Sequence, residues 1–82
     1  MNQYEMAARS NKVDKLIAAL DVECGQRCTE ADLHAAVNGL PMMRSMFVRA
    51  VERAGINPPS QTTIDLLVVR IRERDKIASS RA

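Results

Sequence analysis

The chain has 82 residues, enough for one small domain, because two hydrophobic cores cannot be built from so short a sequence. Hydrophobic residues make up 46% of it and charged residues 27%, a balance typical of folded globular proteins that excludes a disordered chain. The formal net charge is only +2, and one Tyr, one Phe and no Trp exclude an aromatic platform for stacking single-stranded nucleic acid.

Features of the whole chain indicate where the protein works. No stretch of 18 consecutive apolar residues is present, so the sequence predicts no transmembrane helix. Met1 to Glu5 lacks the basic and apolar regions of a secretory signal, and two cysteines in such a chain indicate free thiols in a reducing compartment. We therefore expect a cytoplasmic protein in which residues 1–82 form a single helical domain. Residues 1–10 and 79–82 are the segments expected to fray.

The first strong helical pattern lies in the N-terminal quarter of the chain. Asn11 is its candidate N-cap, and Asp14 is well placed in the first turn. Residues 2–9 contain helix formers and are either a short separate helix or an extension of this one. The apolar stripe has the spacing of an amphipathic helix and consists of Val13, Leu16, Ile17 and Leu20.

The second helix follows a loop that contains Gly25. Thr29 and Asp32 form a variant of the capping box at its start. Asn38-Gly39 supplies the left-handed residue that ends it. Its predicted apolar stripe consists of Leu33, Ala36, Val37 and Leu40.

The third helix begins at Pro41, where a missing N–H has no cost in the first turn. Gly55 ends it, and Ile56 to Pro59 form a rigid connector because two prolines disfavour a helix before them. Apolar residues at helical spacing point inward: Met43, Met46, Phe47, Ala50, Val51 and Ala54. Charged residues point outward: Arg44, Arg49, Glu52 and Arg53.

Ser60 or Thr62 caps a last helix that runs to about Ile77. Residues 62–72 are rich in β-branched side chains and would also suit a strand, but no partner strand is visible, so we predict a helix. One side of this helix carries Ile64, Leu67, Val68, Ile71 and Ala78, and a nearly opposite side carries Leu66, Val69 and Ile77. A helix that is apolar on two sides is either central in the fold or covered by another chain, and both interpretations stay open.

These elements predict an all-α fold class. We expect a compact small helical domain of three main helices plus a short N-terminal helical segment. If that segment merges with the stripe that begins at Val13, the number of helices becomes four.

The soft metal ligands of the chain are few: Cys24, Cys28 and His34. Structural zinc normally takes four protein ligands, and no carboxylate is marked out by the sequence to complete the set, so we predict no metal and no cofactor. A disulfide between the two cysteines is allowed by geometry but is not expected in the cytoplasm.

The sequence also argues against an enzyme. A nucleophile needs a nearby base and a third group that orients the base, and His34 is the one histidine of the chain. Glu30 and Asp32 are paired carboxylates, but their place at a helix start explains them. We therefore predict no catalytic residues.

The segment from Asp32 to Val51 has the pattern of a helix-turn-helix. Ala35 stands four residues before Gly39, which suits close packing of two helices, whereas Ser45 stands where an apolar residue is usual. This pattern suggests a dimeric DNA-binding transcriptional regulator as the second hypothesis, with the last helix as dimer contact. Its predicted DNA-binding residues are Met42, Arg44, Ser45, Arg49, Arg70, Arg72, Arg74 and Lys76.

Basic side chains and a cluster of methionines are concentrated in the second half of the chain. Residues 1–40 have four basic and six acidic side chains, whereas residues 41–82 have eight basic and four acidic ones, and seven of those eight are Arg. Met42, Met43, Met46 and Phe47 form an adaptable apolar cluster that suits either a partner surface or a core.

The leading hypothesis is a small non-enzymatic regulatory or inhibitory protein that binds a protein partner with an acidic surface through this basic, Met-containing half. Small size together with a lack of catalytic residues is typical of accessory proteins such as those carried by phages. A homodimer through the last helix is compatible with this hypothesis, and a membrane partner is not expected. The predicted partner-binding residues are Met42, Arg44, Met46, Arg49, Arg53, Leu66, Val69, Arg70 and Arg74.

Overall fold

The computed structural model describes residues 3–56 and 58–80, with side chains from residue 11 onward, and these residues form an all-α fold. None of the described helices is both long and apolar enough to cross a lipid bilayer. Residues 62–72, which also suited a strand, are helical as predicted. The helices are α1 (Gln3–Cys24), α2 (Glu30–Val37), α3 (Pro41–Ala54) and α4 (Gln61–Ser80).

The first helix takes one of the two expected forms, because residues 3–10 extend it and are not a short separate helix. It is continuous over 22 residues, so Asn11 lies inside it and is not its N-cap. No Gly or Pro interrupts this stretch, and its helix formers allow propagation through residues 3–10. The helix ends at Gly25, which adopts a φ of 71° and donates its N–H to the carbonyl of Val22 at 3.2 Å. The described helices therefore number four.

Local signals set the ends of α2 as predicted. The Thr29 hydroxyl accepts from the Asp32 N–H at 3.2 Å, and the Asp32 carboxylate accepts from the Thr29 N–H at 3.0 Å. At the other end Gly39 has a φ of 84°, and the N–H of Leu40 reaches the carbonyl of Ala35 at 3.2 Å. This is the Schellman arrangement, and it places the next residue, a proline, at the start of α3.

The start of α4 resolves the choice between two predicted caps. The Ser60 hydroxyl accepts from the Thr63 N–H at 3.2 Å and lies 2.9 Å from the Thr63 hydroxyl, whereas Thr62 is inside the helix. The helix continues to Ser80, beyond the predicted end at Ile77, so residues 79 and 80 are helical. Residues 1–2 and 81–82 of the segments expected to fray lie outside the described residues.

The hydrophobic core lies between two pairs of helices. Helix α1 packs against α3 and α4, and α2 packs against the same two helices. The predicted stripes supply most of the buried side chains, and Cys28, which the prediction placed near a loop, is also fully buried. The largest fully buried side chains are Leu16, Leu20, Leu33, Leu67, Ile71, Val13 and Cys28.

Two members of the predicted α2 stripe are not in the core. Val37 is 55% exposed and Leu40 is 56% exposed. Helix α2 has only eight residues, so Val37 is in its last turn and Leu40 lies beyond its end. The prediction that these two side chains point inward was wrong for that reason.

Helix α4 has a wide buried face. Leu67 and Ile71 are fully buried, and Leu66, predicted on the opposite side, is half-buried and packs against the core. The reason is that α4 contacts both α1 and α2. Val69 and Ile77 remain exposed, as expected for a second apolar side of this helix.

The cap of α4 gives a direct test of its start. Ser60→Ala removes the acceptor of the Thr63 N–H, and we expect a loss of about 1 kcal/mol in the free energy of unfolding, measured by urea denaturation. Thr62→Ala is the matched control, because its side chain is exposed within the helix, and we expect little change. An equal loss in both variants would contradict this assignment of the cap.

Candidate functional site

Two of the three α3 arginines that were predicted to meet a partner, Arg49 and Arg53, bind a carboxylate of α1. Arg49 donates to Glu23 at 3.0 Å, and Arg53 donates to the other oxygen of the same carboxylate at 3.1 Å. These hydrogen bonds lower the pKa of Glu23. Both arginines keep exposed surface, but part of their charge is compensated within the molecule.

The arginines of α4 are paired in the same way. Arg70 forms an ion pair with Asp14 on α1, and Arg72 donates to Glu30 on α2 at 2.8 Å. The hydrogen bond from Arg72 lowers the pKa of Glu30. The basic half of the sequence therefore meets the acidic half inside one molecule, which the charge count could not reveal.

Arg74 makes the most extensive of these contacts. Its guanidinium binds both oxygens of Asp21, at 2.9 and 3.0 Å, and also donates to the carbonyl of Cys28 at 2.8 Å. Asp21 in turn accepts from the Cys28 N–H at 2.9 Å. We call this group of Arg74, Asp21 and Cys28 the Arg74 clamp. It joins α4 to α1 and to the loop that follows α1.

Burial and hydrogen bonding oppose each other at Asp21. Burial raises the pKa of its carboxyl group, but the hydrogen bonds from Arg74 and from the Cys28 N–H, with the charges of Arg74 and Arg27, outweigh it. The net result is a lowered pKa, so this carboxylate is ionised throughout the neutral range. Arg74 thus binds groups within the molecule, and its contact with a partner or a phosphate stays a prediction.

An apolar groove lies on the side of α3 that is opposite to the arginines bound to Glu23. It has a volume of about 290 Å³. Among the residues that the structure describes, Arg44 is the one charged residue in its lining. Val48, in its wall, is 47% exposed. We call it the α2–α3 groove; its apolar lining consists of Ala36, Val37, Phe47, Val48, Val51, Pro59 and Ile64.

The methionines predicted at a partner surface separate in the structure. Met42 is 86% exposed and lines a shallow pocket with Pro41, Ser45 and Arg49, away from the α2–α3 groove. Met46 is only 5% exposed and packs in the core, so it offers almost no surface to the partner that the sequence predicted for it. Its position on the inward stripe of α3 explains the burial.

The loop after α1 gathers two thiols and a carboxylate. One ligand atom each of Cys24, Cys28 and Asp32 lies within 4.8 Å of the others. The Cys24 thiol also lies 3.0 Å from the thioether sulfur of Met46. His34 does not join this group, because its ring nitrogen is directed to Glu30 at 3.4 Å. The four-residue spacing of Cys24, Cys28 and Asp32 was visible in the sequence, but their convergence across a loop was not.

Both cysteines are free thiols in this structure. Burial raises the pKa of Cys24 and raises that of Cys28 to about 12. The two groups are therefore protonated at neutral pH and have the low reactivity of buried thiols.

The chain matches no family model, no curated protein and no solved structure. Three local features of the molecule bear on its function: the α2–α3 groove, the network of internal ion pairs and the group of two thiols with Asp32.

The Arg74 clamp predicts a difference between two neighbouring arginines of α4. Arg74→Ala leaves Asp21 and the Cys28 carbonyl without their charged donor, and we expect a loss of about 2 kcal/mol in the free energy of unfolding. Arg72→Ala is the matched control, because its ion pair is exposed and screened by solvent, and we expect little change. Urea denaturation measures both, and equal stability of the two variants would overturn the clamp's structural role.

The lowered pKa of Asp21 predicts a pH dependence. A carboxyl whose pKa is lower in the folded than in the unfolded state stabilises the fold above its usual value of 3.8, and that contribution is lost as the pH falls through the lowered value. We expect Asp21→Asn to be less stable than the wild type at neutral pH and the gap to narrow as the pH falls below 3.8. Urea denaturation across this range measures the gap, and a constant gap would contradict the prediction.

Proposed function

We propose that this protein is a small, non-enzymatic binding module that regulates a protein partner by occupying its surface. The partner inserts an apolar side chain into the α2–α3 groove and places a carboxylate beside Arg44. The observation that carries this proposal is the combination of an apolar groove with a single charged residue in its lining.

Arg44 supports an acidic partner better than the other predicted arginines do. Arg49 and Arg53 share Glu23, and Arg70, Arg72 and Arg74 have carboxylate partners on α1 or α2. Arg44 forms no ion pair with any described side chain. Its guanidinium is thus available to a carboxylate from outside, and the charge favours association with an acidic segment.

Exposed apolar side chains beside the groove support a protein partner. Val37 and Val48 belong to its wall, and each is about half exposed. Leu40 is exposed in the turn that joins α2 to α3. Apolar surface rimmed by polar groups is typical of protein interaction sites. The proposed contact therefore uses the α2–α3 corner and Arg44, and it leaves out Met46.

The DNA-binding hypothesis has less support. Helices α2 and α3 are consecutive and contact each other, but Arg44 and Arg49 lie about 140° apart around α3, so one groove cannot receive both. Arg70, Arg72 and Arg74, proposed to track phosphates, have internal carboxylate partners. The homodimer remains a separate proposal, supported by the exposed Val69 and Ile77 on α4.

Selection from a display library of random short peptides tests the proposed groove. We expect enriched peptides to contain an apolar residue next to Asp or Glu, because these complement the groove and Arg44. Val48→Glu and Arg44→Glu should each weaken binding of such a peptide by at least about tenfold in fluorescence anisotropy. Val69→Glu is the matched control for Val48→Glu, since both valines are similarly exposed and Val69 is on α4. It should leave the affinity unchanged.

Two outcomes would overturn this proposal. Enriched peptides that bind Val48→Glu and Arg44→Glu as tightly as the wild type would place the contact elsewhere. Tight binding to duplex DNA, with a steep log-linear decline as salt is added and a loss in Arg44→Ala, would favour the DNA hypothesis.

A further inference from the structure

The group of two thiols and a carboxylate at the start of α2 has the composition of a metal site. Cys24 is the last residue of α1, Cys28 is in the loop that follows, and Asp32 is in the first turn of α2. Their ligand atoms lie within 4.8 Å of one another. Bonds of about 2.3 Å to sulfur and about 2.1 Å to oxygen place the ligands of a tetrahedral zinc ion roughly 3.5–3.8 Å apart. Binding an ion therefore requires these side chains to rotate and bring their ligand atoms closer together.

The loop that brings the thiols together is held from outside the group. Asp21 accepts the Cys28 N–H and Arg74 binds the Cys28 carbonyl, so the backbone at this cysteine is fixed on both sides. One oxygen of Asp32 accepts the Thr29 N–H in the capping box, which orients the carboxylate. Hydrogen bonds of this kind orient the ligands of metal sites in proteins.

The group is also open on one side. A pocket of about 250 Å³ is lined in part by Cys24, Asp32 and Met46. It offers an entry path and room for a water molecule in a fourth coordination position. Arg49 lines the same pocket, and its charge is partly compensated by Glu23.

We propose that Cys24, Cys28 and Asp32 bind one zinc ion, with a water molecule as the fourth ligand on the side of the pocket. Each thiol releases its proton to solvent when its sulfur coordinates the metal, and the bound ion balances two of the three ligand charges. A ligand set of two thiolates and one carboxylate suits zinc, which accepts both donor types. Copper(I) would instead favour the thioether of Met46 as third ligand.

Titration of the full-length, reduced protein with zinc against a chromophoric chelator tests this site. We expect one ion per chain and a cobalt(II) derivative with a sulfur-to-metal charge-transfer band. Cys24→Ser should abolish that band, and Asp32→Asn should weaken zinc binding by at least about tenfold. The half-buried Cys24 is preferred to the fully buried Cys28 for substitution, and circular dichroism checks that each variant is helical.

Two matched variants separate this site from other binding. His34→Ala removes the exposed imidazole and should leave zinc affinity unchanged. Met46→Leu conserves core volume but removes the thioether, so it reports on copper(I) binding. Zinc binding that survives in Cys24→Ser, or that is lost in His34→Ala, would overturn the proposal. A protein that fails to compete for zinc but binds copper(I) would also overturn it, if Met46→Leu weakens the copper binding and Asp32→Asn does not.

Discussion

The structure depends on one constraint, the way Asp21 and Arg74 hold the loop between α1 and α2. These two residues are 53 positions apart, and their paired hydrogen bonds fix α4 against α1. The same two side chains bind the N–H and the carbonyl of Cys28, so the loop cannot move without breaking charge-assisted contacts. Cys28 is fully buried, so the clamp also holds a residue of the hydrophobic core.

The sequence predicted the features that depend on neighbouring residues. The capping box of Thr29 and Asp32 spans three positions, and the left-handed Gly39 acts within one turn, so both could be read from residue type and spacing. The inward stripe of α1 was also predicted, because helical periodicity fixes which side chains share one side. The length of α1 was not, since an Asn inside a helix and an Asn at its start have the same sequence signature.

The ion pairs could not be predicted because they join residues distant in the chain. Arg49 meets Glu23 across 26 positions and Arg70 meets Asp14 across 56, and no local pattern relates them. Counting charges separated an acidic half from a basic half, which suggested an outside partner for the basic one. Folding instead pairs basic side chains of the second half with acidic side chains of the first, so the charge count alone does not indicate an outside partner. Among the described residues, Arg44 forms no ion pair with a carboxylate, and this distinguishes it from Arg74.

The two proposed sites use different parts of the same pair of helices. Asp32 is in the first turn of α2, whereas Val37 is in its last turn. On α3, Met46 lies beside Cys24, and Val48 lies about 200° further around the helix in the α2–α3 groove. A partner in the groove therefore does not touch the thiols directly. The pocket at each proposed site takes residues from both α2 and α3, so any coupling between metal and partner would pass through these two helices. The start of α2 is in turn held to α4, because the Glu30 N–H donates to Asp75 at 2.9 Å.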